Sequence, residues 1–461
     1  MSKTSKKFGY WSIVLLCINA VIGSGIFLSP GGVLKSAGTY TPLVYVLAAV
    51  FATVLAVIFA AASKYTNKNG AAYAYAKVAF GDDLGFYVGI TRFAAGAIAW
   101  GVMATAVVRN TFHIFGIEDS QLNITIGFIV LMAIVLGIVF MGTAVTRLVS
   151  NVSSVGKILA LVVAIVGGFV VFLLLRQNHF SEVNQVRDAQ GQLIVKPMDL
   201  TLFVTAIISA FYAFTGFESV ASAATEMEEP EKNLPRAIPV GMLIIAAVYL
   251  FVVSICMVIN PVALMTSKEP VVLAAAFENP ILKNLVTYGA LVSMFGINVA
   301  AAFSTPRIFE AMASERQVPS FLCKKNKRGI ALPSFLITAA LAIFVPMAFQ
   351  YDMGNIIIIS SISRFVQFLV VPVALIVFYY GRSREEALKA PKNFVTDVLI
   401  SILGLALTIL LMLKFDWVGQ FTLKDGGANY FAIAAMVLGY VILPLLLYIP
   451  YKLGLYKERQ A

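Results

Sequence analysis

The chain has 461 residues, 60% hydrophobic and only 12% charged, with 34 Lys and Arg against 23 Asp and Glu for a formal net charge of +11. A soluble domain carries about 25% charged residues, so this composition leaves too little polar surface to face water. Two histidines (His113, His179) and three scattered cysteines (Cys17, Cys256, Cys323) supply neither a metal centre nor a disulfide framework. The reading therefore calls for no metal and no cofactor.

Taken in order, apolar runs long enough to cross a hydrocarbon core of ~30 Å as helices are expected at 11–35, 41–63, 84–112, 122–142, 150–175, 199–224, 237–260, 283–312, 333–350, 355–380, 394–414 and 428–451. No linker or low-complexity segment divides them, so residues 1–461 form a single transporter-sized bundle. Lys3, Lys6 and Lys7 precede span 1, which is too long for a signal peptide and lacks a small-residue cleavage site.

Span 1 carries Gly23-Ser24-Gly25-Ile26-Phe27 in its middle, then Pro30. Each glycine weakens a helix by ~1 kcal/mol, and Pro30 deprives the Ile26 carbonyl of its usual donor. The helix is expected to unwind near 23–25 and restart. Arg92 and Arg109, near the two ends of span 3, are expected to snorkel. Lys157 lies eight residues into span 5, ~12 Å deep. It is either a snorkelling residue or a buried cation holding spans 1, 5 and 8 in register.

Span 6 repeats the arrangement of span 1, reading Phe211-Tyr212-Ala213-Phe214-Thr215-Gly216-Phe217-Glu218-Ser219. A glycine and a carboxylate sit mid-span, where a charge costs ~3 kcal/mol and marks function. Arg307, near the end of span 8, is expected in a loop salt bridge, and Lys324-Lys325-Asn326-Lys327-Arg328 in a topological anchor. Arg364, in span 10, either pairs with Glu218, lines a vestibule or makes a purely structural ion pair.

The breaks in spans 1 and 6 lie five spans apart. Matched interrupted segments in two halves are the best sequence pointer to a secondary transporter's binding site. Inverted repeats of five spans (1–180 and 199–380, leaving 394–451 as two additional helices) would bring both breaks to the membrane midplane. Amides exposed at a helix restart suit a carboxylate, and freed carbonyls suit an ammonium. The competing reading is that these glycines only let helices approach closely.

With the N-terminus placed in the cytoplasm, 21 Lys and Arg fall in cytoplasmic segments and 8 on the opposite side. This asymmetry orients both termini to the cytoplasm, in a multi-pass protein of the plasma membrane. The basic balance is then a topological signal facing anionic lipid rather than a nucleic-acid footprint. A primary pump would need a phosphate-binding Gly-x4-Gly-Lys-Ser/Thr loop, and there is none. A membrane enzyme would need clustered His, Asp or Glu in the spans. A major facilitator would have a long loop after span 6, where this chain has only 225–236.

Four segments jointly resemble the amino acid–polyamine–organocation (APC) superfamily, and within it bacterial amino acid permeases related to the L-type transporters. They are Gly23–Phe27; Asn69-Gly70-Ala71-Ala72-Tyr73 through Ala79-Phe80-Gly81; Phe214–Glu218 with Glu228-Glu229-Pro230 through Ile238; and Arg307 with Ala311-Met312-Ala313 and Val318-Pro319. The resemblance covers nearly the whole chain. It implies an all-α integral membrane fold of twelve transmembrane helices, a LeuT-like five-plus-five inverted repeat plus two helices, working by alternating access.

The resemblance further implies a substrate site at Val21, Gly23, Ser24, Gly25, Ile26, Tyr212, Phe214, Thr215 and Gly216. In it the substrate carboxylate meets Ser24 and Gly25, and its ammonium meets carbonyls near Val21, Tyr212 and Thr215. Tyr212 or Phe214 caps the site. Lys157 resembles the lysine that replaces sodium in sodium-independent members, and with Glu218 is expected to serve coupling or gating. One departure is Ala61-Ala62-Ser63-Lys64-Tyr65, where relatives carry an acid. The expected function is secondary transport of a neutral or aromatic amino acid, by exchange or proton symport. Amino acid/amine antiport and a non-transporting nutrient sensor are the alternatives.

Overall fold

The computed structural model describes residues 8–66, 70–188, 190–222, 227–267, 269–326, 330–423 and 426–456. Lys3, Lys6, Lys7, Asn69, Lys327 and Arg328 lie outside them.

The apolar runs form helices throughout. The first half of the chain gives α1 (Tyr10–Val21), α2 (Gly25–Ala37), α3 (Thr41–Ala62), α4 (Ala72–Phe80), α5 (Asp82–Phe115), α6 (Gln121–Phe140) and α7 (Thr143–Val162), which runs through a π-turn at Val163–Gly167 into α8 (Gly168–Leu175). There follow α9 (Leu200–Phe211), α10 (Phe217–Ser222), α11 (Pro230–Ile259), the short α12 (Pro261–Thr266) and α13 (Val272–Ala275), and α14 (Pro280–Ser304) with α15 (Arg307–Ser314). The chain ends in α16 (Leu332–Ala348), α17 (Met353–Ile362), α18 (Phe365–Tyr379), α19 (Ile400–Lys414), α20 (Trp417–Gln420), α21 (Tyr430–Val437) and α22 (Leu443–Lys452).

Among the described residues nine helical runs are long and apolar enough to cross a membrane, and three shorter apolar helices cover Tyr10–Val21, Leu200–Phe214 and Leu332–Ala348. Two of these three are the segments that the glycine motifs interrupt. The longest run, Gly25–Tyr65, has 41 residues, ~60 Å of helix and twice a hydrocarbon core. Gly38, at φ 54, folds it into α2 and α3.

The outward faces are apolar. On α6 Ile126, Ile129, Val130 and Ile134 are exposed, and on α7 and α8 so are Val155, Ile158, Val162, Phe169 and Leu173, as a lipid-facing belt requires. Inside, aromatic rings from four segments interlock. The Phe59 ring lies 5.8 Å from that of Phe217 and 6.1 Å from that of Phe368, and the Phe51 ring 4.8 Å from that of Phe211. This cluster fixes α3, α9, α10 and α18 around the second break. α7 packs along α14, α1 and α3 pack on α11, and α2 packs on α9.

Candidate substrate site

The two interrupted helices meet at their interruptions. α1 ends at Val21, the backbone leaves the helix at Ile22 (ψ 96), and α2 restarts at Gly25. α9 tightens into a short 3-10 turn at Tyr212–Phe214, extends at Thr215 (ψ 152), and restarts as α10 after Gly216 at φ 122. A Cβ on Gly25 would lie well under 3.0 Å from the Cα of Ala213, and one on Gly216 equally close to the carbonyl oxygen of Ala20. The glycines therefore do both things weighed for them: they open the helices and let the openings touch. The Ser24 and Tyr212 hydroxyls, 3.0 Å apart, pin the contact. In the first turn of α2 the Phe27 amide donates to the Ser24 carbonyl at 3.1 Å, while the Gly25 and Ile26 amides precede any acceptor within the helix.

A cavity of about 1090 Å³ lies against this junction. Small-molecule sites run ~300–1,000 Å³, so it has room for a small molecule. Small residues make the space: Ala95, Gly96 and Ala99 on α5, and Gly296, Ala300 and Ser304, one per turn, on α14. The lining runs from Val21, Gly25 and Tyr212 to Gly70, Glu315 and Lys325 at one face of the bundle.

The structure brings Val21, Gly23, Ser24, Gly25, Tyr212, Thr215, Gly216, Lys157 and Glu218 to this cavity. It does not bring the side chains of Ile26 and Phe214. Both are buried, and the 3-10 turn aims the Phe214 ring at Tyr45 and Tyr249, whose ring is 5.0 Å away. Tyr212 is the aromatic at the cavity wall. Two of the expected ammonium acceptors are already engaged. The Tyr212 carbonyl accepts from the amide of Thr215 at 3.2 Å and its hydroxyl at 2.9 Å. Tyr249 donates to the carbonyls of Ala213 at 3.1 Å and Val21 at 3.5 Å.

Lys157 is 3% exposed and sits at the C-terminal end of α1. Its ammonium donates to the Asn19 backbone and side-chain oxygens, both at 2.9 Å, and Ser154 holds the same side-chain oxygen at 2.8 Å. The negative end of a helix favours a cation there. Its own helix is locked to α14 where Ser153 donates to the Ser293 carbonyl at 2.9 Å. A buried cation tying α7 to the end of α1, rather than a snorkelling lysine, is what the geometry gives.

Glu218 divides its oxygens between the Gly216 amide (2.9 Å) and Arg364 (Nε, 3.1 Å). Arg364 occupies the gap between α17 and α18 and also donates to the carbonyl (2.6 Å) and hydroxyl (3.1 Å) of Ser360. Two arginines depart from their expected places. Arg92 does not snorkel: it stands ten residues into α5, ~15 Å along the helix, lines the cavity and donates to Gln367 at 2.9 Å. Arg109 makes an ion pair with Asp119 and donates to the Tyr351 carbonyl. Lys64, in the segment that departs from the resemblance, is buried 3.0 Å from Asp397, ahead of α19.

Asn19, Tyr249, Arg92 and Gln367 were missed as site residues. Asn19 and Gln367 left a signal, each a polar residue in an apolar span within four positions of a residue already singled out. Tyr249 left none. Among the described residues no group of three His, Cys, Asp or Glu side chains could hold a metal ion.

Two interrupted membrane helices touching at their breaks, beside a cavity, define a small-molecule transporter. The chain belongs to the amino acid permease family, which it matches over residues 8–443, within the APC superfamily. It is 36% identical to an uncharacterized transporter of Mycobacterium tuberculosis over 96% of this chain and 95% of that one. It is 27% identical to the serine/threonine exchanger SteT of Bacillus subtilis (87% and 89% covered), and 25% identical to the putrescine transporter PotE of Haemophilus influenzae (88% and 91%).

Proposed function

We propose that this permease is a sodium-independent secondary transporter of amino acids in the plasma membrane, binding the substrate's carboxylate and ammonium at the two breaks. The observation that carries the proposal is the contact of those breaks beside the cavity, to which the start of α2 and Thr215 both contribute. Lys157 supports sodium independence, because its ammonium is held against the end of α1 and supplies a positive charge there.

The proposed architecture is twelve crossings, the nine long runs and three shorter helices together, in two inverted five-span repeats followed by two helices. The packing supports it. Adding or subtracting five turns span pair 5–8 (α7 on α14) into 10–3 (α17 and α18 on α5), and pair 1–7 (α1 on α11) into 6–2 (α9 on α3), and all four occur. Side-chain caps supply a further argument. Ser120, Asp199, Asn279, Asp352 and Asn429 cap the starts of α6, α9, α14, α17 and α21. These begin even-numbered spans, so alternate crossing gathers the caps on one face. The basic asymmetry puts that face outside, the termini inside, and the vestibule open to the cytoplasm.

Exchange and proton symport both fit this site, with Lys157 and Glu218 as the ionisable groups beside it. The alternative of amino acid/amine antiport draws on the name of the putrescine relative, but the cavity opposes it: Lys157, Arg92 and Arg364 line its inner part against Glu218 alone, and an amine adds a further positive charge.

A thermal-shift panel of amino acids and amines on detergent-purified protein tests the proposal, since a ligand of the native state raises apparent stability. Stabilisation by one or more amino acids, followed by their uptake into reconstituted vesicles, is expected. Binding without flux identifies a sensor instead.

A further inference from the structure

We infer that Arg92 is a specificity residue for an anionic substrate side chain, so that the transported species is an acidic amino acid. The inference rests on the site being an amino acid site. It departs from the neutral or aromatic side chain expected from the sequence, because that expectation did not have Arg92 in the cavity.

A guanidinium carries five N–H donors. On Arg92 one of them is used, by the Oε1 of Gln367 at 2.9 Å. Its Nε is shut off from solvent and has no acceptor, and among the described residues no carboxylate pairs with it. Three other cations of the lining are held differently. Arg364 has Glu218 and Ser360, Lys157 has both oxygens of Asn19, and Lys325 has Glu310 at 2.8 Å. An arginine left in this way in a cavity wall has the planar donor fork that a carboxylate matches with two parallel bonds.

Arg92 is also joined to the breaks. Gln367 lies one turn after Arg364 on α18, Arg364 holds one oxygen of Glu218, and the other oxygen accepts from the Gly216 amide. A substrate with its backbone at the breaks thus has Glu218, already neutralised, beside it and Arg92 beyond. A side-chain carboxylate arriving there gains a partner and offsets the cationic excess. A side-chain amide fits the same space without the charge.

The test compares acids with their amides of equal length, glutamate with glutamine and aspartate with asparagine, as competitors for binding and vesicle uptake at neutral pH. The wild type is expected to prefer at least one acid over its amide by about tenfold or more, ~1.4 kcal/mol. Arg92→Gln should bring that ratio to one or below while amide binding persists, and Arg92→Lys should keep part of it. Gln367→Glu, which gives Arg92 a carboxylate of its own while leaving the arginine in place, should also erase the preference, and it serves if Arg92→Gln fails to fold. Wild-type binding of an amide or aliphatic amino acid as strong as that of the acids overturns the inference and leaves the amino acid site standing. An acid preference that survives both substitutions overturns the role of Arg92. Failure of every amino acid to bind overturns the site and the inference together.

Discussion

Gly25 and Ala213 meet backbone to backbone, so that a Cβ on Gly25 would fall well inside 3.0 Å of the Ala213 Cα. Neither main chain can yield without moving a helix. At Gly23 the nearest obstacle is only the tip of Ile297, at 3.0 Å. Gly25→Ala is therefore expected to destabilise the junction by about 1–3 kcal/mol, the usual range for overpacking, and to abolish uptake. Gly23→Ala, whose neighbour can rotate away, should retain most of both. Thermal unfolding and vesicle uptake of the two variants check the contrast.

Glu218 and Arg364 form a buried pair, their side chains 7% and 9% exposed. Breaking such a pair leaves a charge uncompensated, at about 3–5 kcal/mol. Glu218→Gln should unfold at lower temperature than wild type, and Glu218→Gln with Arg364→Gln should recover part of the loss. A double variant no more stable than the single one would show that the two residues are not coupled.

Lys64 and Asp397 make a second buried pair, with Tyr65 donating to the same carboxylate at 2.7 Å. Neither residue lines the cavity. Asp397→Asn should lower thermal stability by a similar ~3–5 kcal/mol and leave ligand affinity unchanged, the opposite pattern from a site variant such as Arg92→Gln.

The breaks were legible in the sequence because helix breakers act locally: Gly23, Gly25 and Gly216 declare a backbone departure wherever they stand. Glu218 and Arg364 were legible as charges too deep to be idle. What could not be read was direction. Arg92 counts as near a helix end by position, and only the packing of α5 on α14 and α18 turns it into the cavity. Phe214 adjoins a break like Tyr212, but the 3-10 turn sends the two rings opposite ways. Tyr249 is an aromatic in an apolar span, and its carbonyl partners exist only once the two breaks have come together. Lys64 had no visible partner because Asp397 lies 333 residues away.

The proposed orientation rests on the basic residues alone. In a background free of Cys17, Cys256 and Cys323, Gln190→Cys is expected to react with a membrane-impermeant maleimide on intact cells, and Arg382→Cys only after permeabilisation. The reverse pattern would invert the topology and place the vestibule on the outer face.

Lys157 carries the central claim, that an ammonium held against the end of α1 replaces a coupling ion. The most direct measurement is uptake of a bound amino acid into reconstituted vesicles at fixed pH, with sodium replaced by choline, for wild type and Lys157→Ala. The account predicts equal wild-type uptake in both media, and uptake by Lys157→Ala reduced by about tenfold or more, equivalent to ~1.4 kcal/mol, with membrane insertion intact. Wild-type uptake that requires sodium, or undiminished transport by Lys157→Ala, would contradict it.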